Sequence, residues 1–206
     1  MKLVIVHLLF ILKILLVSNN LYADYLSGYK EFENQNYQSA FENWQEGADQ
    51  NDTLSQFYLA LLYKNGLGVE QDYSKAFDLF ETVSDKGLIE GNYNLGLLYY
   101  NGLGIEKNYN KAFFNFNIAK DKIIESYYYL GVMYSESKGI ETDYLKAANF
   151  FQLASENNIY LANCNLGFIY LEGLGVPQNY SEAYNYFLKG AKKNISDRQN
   201  GLGWLY

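Results

Sequence analysis

One stretch has the residue types for phosphate chemistry. Asn65 to Phe77 reads NGLGVEQDYSKAF, with Gly66 and Gly68 one residue apart ahead of a helix-like segment. Closely spaced glycines let backbone N–H groups approach a pyrophosphate at a helix start. The stretch recurs, however, as NGLGIEKNYNKAF at Asn101 to Phe113 and EGLGVPQNYSEAY at Glu172 to Tyr184, with a weaker copy, ESKGIETDYLKAA, at Glu136 to Ala148. A motif repeated at a fixed interval is architectural. Gln71, Lys107 and Gln178 stand where a dinucleotide fingerprint needs its third glycine. The phosphate reading therefore fails.

Other chemistry is equally thin. Asp78, Glu81 and Asp85 share one helical segment. Paired acids act as acid and base only when a cleft splits their pKa values, and these read as a solvated helix face. The single histidine is His7 and the single cysteine is Cys164. Cys164 sits among apolar residues and is expected to be a buried, inert thiol.

The first 23 residues form a separate object. A basic start, an apolar run and a small residue at Ala23 follow the pattern of a secretory signal peptide. The run is short for a membrane span and carries Lys13. Cleavage after Ala23 would make the mature chain periplasmic or secreted. Loss of Lys2 and Lys13, with no acid removed, takes the formal charge from −7 to −9. Such a chain repels nucleic acid and anionic membrane surfaces. It also lacks histidine, which excludes His-based triads and His metal sites, and it cannot form an internal disulfide. The sequence assigns no catalytic, cofactor-binding or metal-ligating residue.

The elements that position these residues follow from the period. Leu59, Leu95, Leu130, Leu166 and Leu202 are separated by 36, 35, 36 and 36 residues, and Tyr63, Tyr99, Tyr134, Tyr170 and Tyr206 keep step. Periods of this size mark solenoids. In each unit a first helix carries a Leu59–Leu62–Tyr63 stripe, followed by a small residue at Ala60, Gly96, Gly131, Gly167 and Gly203 that lets a neighbour approach. Gly66 ends that helix in the left-handed region. Asp72, Asn108, Asp143 and Asn179, with Asn36 earlier, read as N-caps of the second helix. That helix buries Tyr73, Ala76, Phe77, Phe80 and Val83, and stops at Asn51, Gly87, Asn158 and Asn194 in the successive copies. The third interval is one residue short between Ala119 and Leu130, and Ser137 replaces the first glycine there, so a distorted junction is expected.

The fold expected is all-α, a right-handed α-solenoid of helix-turn-helix repeats of about 36 residues. Helix pairs fall near 24–51, 54–87, 90–123, 125–158 and 161–194, with a final single helix at 197–206. First helices commonly line the concave side of such arrays. Phe57, Leu61, Tyr93, Leu97, Tyr100, Tyr128, Phe168 and Trp204, opposite the leucine stripe, are therefore candidate contacts for a peptide in a groove. The last helix, rich in Leu202, Trp204, Leu205 and Tyr206, is a candidate for self-association.

LGLLYYNGLGIEKNYNKAFFNF and LGFIYLEGLGVPQNYSEAYNYF resemble the Sel-one-like repeat of the tetratricopeptide-like superfamily, across roughly residues 37–206. The resemblance implies a non-enzymatic scaffold for protein or peptide partners, with exported members implicated in envelope processes and host interaction. It also admits a cysteine-rich, β-lactamase-like branch of envelope hydrolases, whose paired cysteines this chain lacks.

Overall fold

The computed structural model describes residues 25–199, with side chains as far as Ala191. The expected signal segment, Trp204 and the 200–206 part of the expected last helix lie outside the described residues. The chain forms two compact units, Met1–Lys107 and Asn108–Tyr206. All regular elements among the described residues are helices.

In the first unit a helix over 25–33 (α1) is followed by α2 (Tyr37–Asp49), α3 (Thr53–Asn65), α4 (Tyr73–Asp85) and α5 (Ile89–Asn101). In the second stand α6 (Tyr109–Ala119), α7 (Glu125–Ser135), α8 (Tyr144–Glu156), α9 (Leu161–Glu172) and α10 (Tyr180–Gln199). Within each unit, helices adjacent in sequence pack on one another.

The second-helix stripe forms the core. Ala40, Trp44, Ala76, Phe80 and Val83 are fully buried in the first unit, and Ala112, Phe116, Ala147 and Phe151 in the second. The small residue after the leucine has the role its size implies: a Cβ on Gly131 would lie 2.7 Å from the Phe151 ring. One feature of the first-helix stripe is costly. Ser55 and Ser126 bury hydroxyls that find no protein acceptor.

The recurrent loop is a stop, a turn and a start. Gly66, Gly102 and Gly173 cap their helices in the left-handed region, with the cap N–H bonded to the carbonyl of Leu62, Leu98 or Ile169. The side chains of Asp72, Asn108, Asp143 and Asn179 accept from the backbone N–H three residues on. Those N–H groups hold the Asp72 and Asp143 carboxyls below the ordinary aspartate value. Gly104 meets a second demand, set by the helix of the preceding repeat. At φ +69°, a Cβ there would overlap the Tyr73 carbonyl and lie 2.6 Å from the Ser74 nitrogen. Gly68, Gly139 and Gly175 sit in the same way on the backbone at Tyr37, Tyr109 and Tyr144. Each loop is thus seated on the start of the second helix one repeat earlier.

Three expectations need correction. Asn36 does not cap α2 with its side chain; its φ/ψ of −82°/63° lies outside the extended region of the other caps, and its amide donates to Glu31 instead. Asn194 does not end a helix, because α10 continues through it to Gln199. Asparagine permits the left-handed stop without imposing it, and in a helix interior it costs only a fraction of a kcal/mol. Cys164 is exposed. Its apolar sequence neighbours point elsewhere around α9, whereas Cys164 shares the outward stripe of Phe168, which is 57% exposed.

The short third interval is distorted as expected. After Ala119 no residue enters the left-handed region; Lys120 stays right-handed, and Ile123 N–H bonds back to the Ala119 carbonyl at 2.8 Å. Ser137 adopts φ +57°, where the other copies have glycine. Ser137→Gly is expected to be neutral or stabilising by up to about 1 kcal/mol, the relief of left-handed strain being offset in part by the freer unfolded chain. Denaturant titration showing a clear loss of stability would contradict this.

Candidate functional site

On α3, Phe57, Leu61 and Lys64 fall on one stripe, and Tyr93, Leu97 and Tyr100 repeat it on α5. All six side chains are half-buried. The stripe is neither core nor free surface. Phe57 rests on the buried Phe80 ring, with centroids 5.9 Å apart, and keeps an open side. In the second unit Tyr128 rests on Phe151 at 6.0 Å, and Phe168 meets Phe187 edge-on at 5.1 Å. Phe57 and Tyr128 therefore stand as aromatic shoulders on the core phenylalanines Phe80 and Phe151. The structure gathers Phe57 and Leu61 on α3, and Tyr93, Leu97 and Tyr100 on α5.

A polar tie within this stripe has no local signature in the sequence. Lys64 Nζ donates to Asn94 Oδ1 at 2.9 Å, joining the end of α3 to α5. Asn94 is itself fixed by donating Nδ2 to the Glu90 carbonyl at 2.9 Å. Burial holds the Lys64 ammonium below the usual lysine value. Nothing local in the sequence signals a pairing 30 residues apart. The other first helices place Tyr100, Ser135 and Leu171 where α3 has Lys64, and that substitution was the only available cue.

Beside α3 lies an aromatic cluster. Tyr58 stacks on Trp44 at 4.8 Å and meets Tyr25 and Tyr29. Burial, first, and then the Tyr25 hydroxyl push the Tyr58 phenol up to about 12. A group so far from neutrality does not serve as a base at ordinary pH. Among the described residues no three His, Cys, Asp or Glu side chains gather in a metal-binding group, and no helix is long and apolar enough to cross a membrane. Polar hollows lined by Gln35 to Ser39 with Gly68, and by Ser27, Lys30, Glu31, Ser39, Glu42 and Asn43, include none of the candidate contacts.

Helix pairs of this period, closed by seated glycine loops, define an α-helical repeat protein of the solenoid class. The chain belongs to the Sel1 repeat family, whose model matches residues 18–52, 53–88, 89–122, 124–159 and 161–195. Solved structures agree. A protective antigen of uropathogenic Escherichia coli, displaying an SLR fold, is 27% identical with a TM-score of 0.79 over 84% of this chain. The chain spans only 38% of that antigen's length. A Sel1 repeat protein from Oxalobacter formigenes is 26% identical with a TM-score of 0.76, covering 87% of this chain and 72% of its own. A further Sel1 repeat protein, from Klebsiella pneumoniae, shares the fold at 19% identity and a TM-score of 0.58, over 88% of this chain and 91% of its own. Sequence comparison with curated proteins finds no match.

Proposed function

We propose that the chain is a non-enzymatic scaffold that binds a protein or peptide along the first-helix stripe. The observation that carries this is the half-buried aromatic and aliphatic row on α3 and α5. Sel1 repeats generally mediate contacts between proteins, which supports the reading. Tyrosine suits such a row, because its ring is rigid and amphipathic and loses little conformational freedom on contact. The same stripe in the second unit offers Tyr128 and Phe168. The apolar end of the sequence, with Trp204, extends the proposal to self-association.

The test uses peptides selected by phage display on the full chain. Leu97→Asp should weaken the selected peptides at least tenfold in fluorescence anisotropy, with the helical circular dichroism unchanged. Phe114→Asp, at a 64% exposed position on α6, should leave them unaffected. Equal affinity for both variants would remove the stripe from the binding surface. Export belongs to the same proposal and rests on the tripartite pattern of residues 1–23. Intact mass from the producing cell should then begin at Asp24, and a retained Met1 refutes cleavage.

A further inference from the structure

We infer that the α3–α5 stripe recognises a single carboxylate of its partner, flanked by apolar side chains, and that Lys64 receives it. The inference rests on the scaffold reading and names the partner chemistry of that same surface. Its basis is a charge that the fold leaves under-matched. Lys64 is the only charged side chain among the six stripe residues, and it is half-buried. Its acceptor is a neutral amide oxygen, Asn94 Oδ1 at 2.9 Å. Among the described residues it forms no salt bridge; the ion pairs there involve Lys75, Lys138 and Lys146. Glu90, beside Asn94, contributes its backbone carbonyl to the Asn94 amide.

A lysine placed only to complement the negative end of α3 would keep its ammonium in water. Lys64 instead reaches across to Asn94 on α5 and is half-buried there, and that burial lowers its basicity. An ammonium carries three donors, so one bond to Asn94 leaves capacity for an incoming oxygen. Asn94, anchored at Glu90, ties the ammonium to α5 rather than letting it swing out. A carboxylate arriving there meets a half-buried cation. Pairs of this kind are worth more than pairs at a hydrated rim.

The charge of the whole chain narrows the partner further. A formal charge of −7 repels a polyanion at long range. A run of acids, a polyphosphate or a nucleic acid is therefore a poor match. One aspartate, glutamate or terminal carboxylate between aromatic or aliphatic residues satisfies both the cation and its surroundings.

The probe is a twelve-residue phage-displayed library selected on the full chain, followed by the selected sequence as a fluorescein-labelled peptide. A second peptide carries the matching amide, Glu→Gln or Asp→Asn. On the unmodified chain the acidic peptide should bind at least tenfold tighter than its amide copy. On Lys64→Met, which preserves length and apolar contact, the two peptides should bind alike. Lys64→Arg should restore part of the difference, a result that a merely structural lysine would not produce. Peptides that need Leu97 but ignore their own acid, or that discriminate equally on Lys64→Met, overturn the carboxylate site and leave the scaffold reading standing. Peptides indifferent to Leu97→Asp, or a selection that yields none, overturn both.

Discussion

Gly104→Ala should destabilise the first unit by roughly 3–5 kcal/mol, whereas Gly87→Ala should cost only about 1–2 kcal/mol. Both glycines have positive φ, +69° and +89°, so both alanines incur left-handed strain. They differ in what surrounds them. A Cβ at Gly87 meets nothing within 4 Å, whereas one at Gly104 overlaps the Tyr73 carbonyl and the Ser74 amide. Those atoms belong to the first turn of α4, which Asp72 and its hydrogen bond to the Lys75 nitrogen hold in place. They cannot swing aside as a side chain would. Relief requires the loop after α5 to lift from α4. Native-state hydrogen exchange should therefore show loss of protection concentrated in the first turn of α4, with α2 less affected. Equal losses for the two variants would mean that φ alone demands glycine at these turns.

Phe151→Ala should remove about 3–5 kcal/mol from the second unit. The ring is fully buried and stands against Gly131 on α7 and Tyr128 at 6.0 Å. Cavity costs depend on how far the surroundings relax, and a glycine wall has no side chain to lean into the space. The complementary change is informative as well. Gly131→Ala improves helix propensity by about 1 kcal/mol yet places a methyl 2.7 Å from the ring, so it should destabilise alone and recover when combined with Phe151→Leu. Chemical denaturation of the single and double variants measures the coupling. Additive losses would show that the two positions do not share one contact.

Much of this architecture is written in residue types. The period, the left-handed stops at Gly66, Asn51 and Asn158, the four caps from Asp72 to Asn179, and the Ala76–Phe80–Val83 stripe follow from local rules that act within a turn or two of helix. The misreadings occur where the deciding contact is not local. The sequence neighbours of Cys164 suggest burial, but they point around α9 in other directions. Asn36 has the cap residue type but not the extended backbone a cap needs. The second glycine of each loop did leave a trace in the sequence. Gly68, Gly104, Gly139 and Gly175 are glycine in every copy, whereas the first glycine gives way to Ser137. The position that is glycine in all four loops is the one seated on another backbone, while the first, where an added Cβ would meet a side chain at 3.1–3.2 Å, admits serine. The stripe could be picked out by periodicity, but its Lys64–Asn94 tie could not, since it depends on how two helices 30 residues apart are set side by side.

The seating of each loop on the preceding helix start also bears on how such a chain can change length. Each inner repeat, Gly68 with Tyr73, Gly104 with Tyr109 and Gly139 with Tyr144, carries both halves of the contact: a glycine that fits the repeat before it, and a helix start that receives the repeat after it. A duplication of one whole period therefore arrives with matching ends and leaves no seam to repair. A cut inside a unit does the opposite, stranding a glycine with no backbone beneath it or a helix start with no loop above. Growth and loss of this molecule in evolution should accordingly proceed in whole steps of about 36 residues. The single residue missing between Ala119 and Leu130 obeys the same constraint. It falls at the other junction, between a second helix and the next first helix, where no glycine is seated, so Gly139 still reaches Tyr109.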